Sequence, residues 1–179
     1  MAKDEHATEL WSPLSESPEY LQAIGLVTVE INSMEFLLAS LLGATINVSP
    51  EIGRAIYYAP KGATARVDIL EEAAKAAITD NPRLLAGIKS VANRAKGIFT
   101  ERNGVAHDLW AVPAGKTTVH RGSIEQLRVA DLKELDAIVE RARELKGRCV
   151  VLLARLTLGR QDQGDWPATL AEMRKRSKS

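Results

Sequence analysis

Apolar residues recur at helical spacing along most of this chain. Between Ser17 and about Asn47 they fall at Leu21, Ile24, Ile31, Leu38 and Leu42, one stripe of an α-helix. Ser17-Pro18-Glu19 opens that helix with an N-cap, a first-turn proline and an acid suited to the helix dipole. Ser49-Pro50-Glu51 repeats the signal for a short helix ending near Tyr58, and Ala59-Pro60-Lys61-Gly62 reads as a loop. A third helical pattern covers about 64–78. Thr79-Asp80-Asn81-Pro82 ends it and starts a fourth, with Leu84, Ile88, Val91, Ala95 and Ile98 on one stripe. After His107 the period changes. Residues 109–112 and 117–120 flank Pro113-Ala114-Gly115-Lys116, a small hairpin or an irregular loop, which makes His120 a loop residue. Asp131 caps a last long helix facing inward through Leu132, Leu135, Val139, Ala142, Leu145, Cys149, Leu152 and Leu156.

The pattern predicts an all-α fold, a helical bundle of four to five helices with a small hairpin or loop insert. Residues 1–16 read as a flexible N-terminal arm, 17–159 as the helical domain and 160–179 as a flexible basic tail unless Trp166 docks. A chain of 179 residues with 45% apolar and 26% charged residues is one globular domain with a real core. The net charge of +1 gives no global field toward nucleic acid or anionic lipid, so any such contact is local. A single Cys149 excludes an internal disulfide and fits a reducing compartment, and its inward position suits an inert core thiol. The first ten residues lack a signal-peptide core, and the apolar run Phe36 to Ile46 is short for a bilayer span. A cytoplasmic protein with no membrane partner is expected.

Candidate chemistry concentrates at Arg102-Asn103-Gly104-Val105-Ala106-His107. A cation that never titrates stands five positions before a base that titrates near neutral pH, a combination suited to a phosphodiester. The stripe of the fourth helix continues from 91, 95 and 98 to 102, so Arg102 takes a core-facing position, while Asn103 and His107 share the neighbouring row with Phe99 and Trp110. A guanidinium there needs an acid or a ligand. On the first helix Glu35 sits in the seam Ile24, Thr28, Ile31, Leu38, Leu42 and is the expected partner, with Asn32 one turn away as a buried hydrogen-bonding group. On a regular helix Arg102 and His107 diverge by about 140°. They converge on one atom only if the helix loosens at Gly104 or if a second subunit completes the site.

Arg102-Asn103 followed by His107 resembles the R-N-x-x-x-H signature of HEPN domains, a family of all-helical and usually dimeric proteins. The placement is similar too: a bundle with the motif late on an internal helix and a long helix after it, over roughly residues 18–158. The resemblance implies a metal-independent endoribonuclease, often a toxin or defence effector, with no cofactor. In such an enzyme His107 serves as general base or acid around the ribose 2′-hydroxyl and the leaving oxygen. Arg102 holds the phosphate, Asn103 orients His107 or the phosphate, and the product is a 2′,3′-cyclic phosphate. The implied partners are RNA, a second copy in a homodimer and an antitoxin protein. The alternative is a non-catalytic helical module binding RNA, a nucleotide or a protein through the same cleft. An Arg102–Glu35 pair closed off from solvent favours that module, and an open, basic cleft with His107 exposed favours the enzyme.

The remaining candidates are weaker. Arg141, Arg148 and Arg155 recur every seven residues on the last helix and could follow an RNA backbone, although Glu134, Glu140 and Glu144 are placed to pair with them. Arg174-Lys175-Arg176 with Lys178 reads as a solvated end. His6, His107 and His120 are scattered and no Cys–His spacing suits zinc. No phosphate-binding glycine loop or serine elbow is present.

Overall fold

The start signals read from the sequence are the ones the backbone uses. In the computed structural model, which describes residues 11–12, 14, 17–113, 117–123 and 126–161, helix α1 runs Pro18–Ile46. It stops because Asn47 turns left-handed (φ 59°), letting Val48 N–H return to Gly43 O at 3.0 Å. Helix α2, Pro50–Tyr58, is capped by Ser49, whose side chain accepts from Ile52 N–H. Helix α3 follows as Ala63–Ala77. Helix α4, Pro82–His107, begins where Asn81 Oδ1 accepts from Leu84 N–H at 3.0 Å. Helix α5, Leu132–Gln161, begins where Asp131 Oδ1 accepts from Lys133 N–H at 2.9 Å. The chain is thus an all-α bundle of five helices with a small β insert.

The insert holds more structure than its sequence suggested. Strands β2 (Leu109–Pro113), β3 (His120–Ser123) and β4 (Gln126–Val129) form an antiparallel meander, so His120 is a strand residue opposite Ala111 and Val129. Gly122 takes φ 140°, and a Cβ there would lie 2.2 Å from Gln126 O, so the β3–β4 turn requires glycine. The N-terminal arm contributes β1, Trp11–Ser12, which pairs with Val112 and Pro113 at the edge of β2. The expected flexible arm is therefore anchored at that point. The basic tail with Trp166, and His6, lie outside the described residues.

The described chain divides into two compact units. The first comprises Met1–Glu35 and Asn93–Lys146, and the second comprises Phe36–Ala92 and Gly147–Ser179. In the first, Val27, Ile31 and Met34 of α1, Ile98 and Phe99 of α4, and Leu135 and Leu145 of α5 are buried. A small satellite cluster of Val112, Val119 and Ala130 lies under the insert, with Tyr20 and Trp110 against it. Tyr20 donates from its hydroxyl to Ala130 O at 3.0 Å. In the second unit Leu38, Leu42, Tyr57, Leu70, Ile88 and Cys149 are buried. Burial pushes the Cys149 thiol up to about 12, consistent with an unreactive core residue.

Helix α1 departs from the expected stripe: Leu21 is 46% exposed, Ile24 is half-buried and the buried row runs through Val27, Ile31, Met34, Leu38 and Leu41. The helix is apolar on several faces, so spacing alone does not select its inner one. Its most apolar 18-residue stretch has mean hydropathy 1.4 with a third of it buried, which by length and composition is enough to cross a bilayer.

In the second unit α1 and α2 cross backbone to backbone. A Cβ on Gly53 would sit 2.5 Å from Gly43 Cα and 2.9 Å from Gly43 N, and neither atom can move without moving α1. Gly53→Ala is expected to lower stability by about 1–3 kcal/mol in urea unfolding, the usual cost of overpacking. Gly25→Ala, whose Cβ meets nothing within 4 Å, is expected to leave stability unchanged or raise it. Equal midpoints for the two variants would show that the crossing is not tight.

Candidate active site at the end of helix α4

The motif occupies the last two turns of α4, and the helix remains regular through it. Asp108 N–H reaches Gly104 O at 2.9 Å, the ordinary spacing of four residues. The loosening at Gly104 that would let one chain bring Arg102 and His107 together does not occur. Arg102 and His107 thus keep their divergence of about 140°.

Arg102 is half-buried, and its Nη1 donates to Asn103 Oδ1 at 3.4 Å. This is its hydrogen bond among the described contacts, so the expected pairing with Glu35 is not made. The physical reason is reach: a guanidinium near a helix end extends to its exposed neighbour and keeps part of its hydration. Glu35 is half-buried with interactions of its own. Asn32 is exposed, which overturns its reading as a buried hydrogen-bonding group. Asn103 is exposed and contacts Arg102 rather than His107, and His107 is itself exposed on the last turn.

The residues that hold this end of α4 were missed in the sequence. Arg121 of β3 is 8% exposed and stands opposite Trp110 on β2 and Arg128 on β4, one row across three strands. Its Nε donates to Asp108 Oδ2 at 3.0 Å, its Nη1 lies 3.6 Å from Glu134 Oε2, and its Cζ sits 5.3 Å from the Trp110 ring centre. Trp110 Nε1 donates to Val105 O at 2.9 Å, satisfying a carbonyl that the helix end leaves without an intrahelical donor. The residue following His107 is therefore tied to the insert, and the insert to the first turn of α5. A signal was present in the strand pairing, since the aligned row Trp110, Arg121, Arg128 appears once the meander register is drawn.

The remaining predicted residues are scattered. Arg141 pairs with Glu101 of α4, Arg148 is exposed with partners, and Arg155 is exposed in the second unit. Glu140 bonds Arg143 at 2.8 Å and Glu144 bonds Arg94 at 3.2 Å. Arg141 is thus not free to act with the other two as an open cationic row. Among the described residues no group of three or more His, Cys, Asp or Glu side chains converges as a metal would require. No family model matches the chain, and neither a curated protein nor a solved structure matches it.

Two carboxylates carry much of this unit's ionic bracing. Glu30 of α1 bonds Lys146 and, at 3.0 Å, Arg143 on α5; the Lys146 bond first and the Arg143 bond after it hold its carboxyl below 4.5. Glu134 is lowered chiefly by its hydrogen bonds from Arg128, at 2.7 and 2.9 Å. A carboxyl depressed in the folded state stabilises fully above its unfolded value and loses that contribution as pH falls through the folded one. Unfolding measured across pH is expected to be flat near neutrality and to weaken below about pH 4.5, less steeply in Glu30→Gln and Glu134→Gln. Acid limbs equally steep in the wild type and both variants would sink this assignment.

Proposed function

We propose that this protein is a metal-independent endoribonuclease of HEPN type acting as a homodimer. The observation that carries the reading is an Arg102 that, among the described residues, bonds only its neighbour Asn103, together with an exposed His107 on one regular helix end. The arginine is not neutralised by Glu35, and the imidazole is accessible to a substrate.

In this mechanism the imidazole of His107 takes the proton of a ribose 2′-hydroxyl, whose oxygen attacks the adjacent phosphorus. The bond to the 5′-oxygen breaks, and that oxygen leaves with a proton from a histidine acting as acid. Arg102 binds the nonbridging oxygens and stabilises the charge gathering there. Asn103, bonded to Arg102, sets the guanidinium's direction rather than the imidazole's. Because Arg102 and His107 of one chain diverge, the partner's His107 or the partner's Arg102 completes the arrangement. The products are a 2′,3′-cyclic phosphate and a 5′-hydroxyl; DNA, lacking the attacking group, is not cut. A cytoplasmic setting, with an antitoxin protein as regulatory partner, belongs to the same proposal.

The test is cleavage of a mixed RNA pool in EDTA, with product ends analysed and mass followed by sedimentation. Wild type is expected to cut as a dimer and leave cyclic phosphates, and His107→Ala to lose about 10²–10⁴-fold in rate. Absence of cutting by a folded dimer would move the reading to a non-catalytic module that binds RNA, a nucleotide or a protein. Cutting by a monomer would overturn the shared site.

A further inference from the structure

Within the first unit, α4, α5 and the insert line an open cleft of about 360 Å³. Its walls carry Glu101 and Gly104 from α4, Arg121 and Arg128 from the insert, and Glu134 and Arg141 from α5. Arg121 is the informative member. Its side chain is nine-tenths buried, its Nε is spent on Asp108 and its ring-facing side on Trp110. Its Nη1 is 3.6 Å from Glu134, beyond a hydrogen bond, and its Nη2 makes no hydrogen bond among the described residues. Nη2 lies only 3.8 Å from where a Gly104 Cβ would stand, so the space that glycine leaves is space beside this nitrogen.

The Nη edge of this guanidinium opens onto the cleft with donors not spent on the described residues, and its fork matches the oxygens of a phosphate. A bare phosphate does not account for the rest of the wall. Glu101 and Glu134 line the same space, and although each is already paired, with Arg141 and with Arg128, their remaining lone pairs can accept from a hydroxyl or an amino group. The cleft therefore suits a ligand anionic at one end and hydrogen-bond donating at the other. A ribonucleotide has that character, with its phosphate on Arg121 and its ribose hydroxyls or base amino group toward the glutamates. The volume lies within the usual range for small-molecule sites, about 300–1,000 Å³. The location is equally specific. Gly104 stands three residues before His107, and Asp108, which Arg121 holds, immediately follows it.

We propose that this cleft is a nucleotide-binding subsite, with Arg121 taking the phosphate and Gly104 providing its room. Its role, positioning a nucleotide of the RNA next to the one that is cut, rests on the ribonuclease reading; the binding itself does not.

Calorimetric titration of the full chain tests it with four probes: AMP, adenosine, inorganic phosphate and a 2′-O-methyl oligoribonucleotide that cannot undergo 2′-hydroxyl attack. Wild type is expected to bind AMP at least about tenfold more tightly than adenosine or phosphate, since each end of the ligand contributes. Gly104→Leu fills the space while favouring the helix, and is expected to weaken AMP binding by about tenfold or more. Arg141→Ala, an exposed change, is expected to weaken it several-fold. Binding of the oligonucleotide supports a strand as the source, and binding of AMP without the oligonucleotide supports a free nucleotide. No binding of AMP or the oligonucleotide by wild type, phosphate binding as tightly as AMP, or a Gly104→Leu variant that binds like wild type would each overturn the site. Because no probe is cut, retention of AMP binding in a protein that cleaves nothing separates this proposal from the ribonuclease reading.

Discussion

The contact between Arg121 and Asp108 sets the conditions for the rest of the motif region. A guanidinium nine-tenths removed from water must be compensated, and Asp108 and Glu134 supply the charge while Trp110 covers its face. Because Asp108 directly follows His107, this compensation also fixes where the last turn of α4 ends. The Trp110 bond to Val105 O secures the turn a second time. With its end held at two points, the helix has no slack at Gly104, and its glycine serves space beside Arg121 rather than backbone freedom. The divergence of Arg102 and His107 is thus a consequence of the insert, and so is the need for a second copy in the proposed reaction.

The helices were legible in the sequence because all but α3 carry their own start signal and α4 and α5 each show one clear apolar stripe. Ile88, Val91, Ala95 and Ile98 are all buried, as are Leu135, Val139, Ala142, Leu145, Cys149, Leu152 and Leu156. Helix α1 resisted because Leu26, Val29 and Phe36 are exposed on a face as apolar as the buried one. Strand β4 resisted for the opposite reason. Three of its four residues are exposed, so it exists through backbone pairing with β3 and not through a buried face. Arg121 could not be recognised as buried from its neighbours, since its acidic partners Asp108 and Glu134 lie thirteen residues away in either direction. The motif itself was legible as a string of residues, but its orientation depended on contacts that no local pattern encodes.

Charge balance then constrains how an RNA could be held. The chain has 24 basic and 23 acidic side chains, and around the motif the described cations are largely matched: Arg121 with Asp108, Arg128 with Glu134, Arg141 with Glu101, Arg94 with Glu144. Such an arrangement gives little long-range attraction to a polyanion. Recognition by this surface must come from short-range donors that remain unspent, and these are few. Arg102 bonds a neutral amide instead of a carboxylate, and the Nη edge of Arg121 faces a cleft. They lie on different sides of one helix end. A strand that engaged both would have to wrap that end, placing one phosphate at Arg102 and a neighbouring nucleotide beside Gly104. Specificity would then follow from the geometry of α4 and its insert, with salt affecting binding less than in a protein that gathers RNA through a basic field.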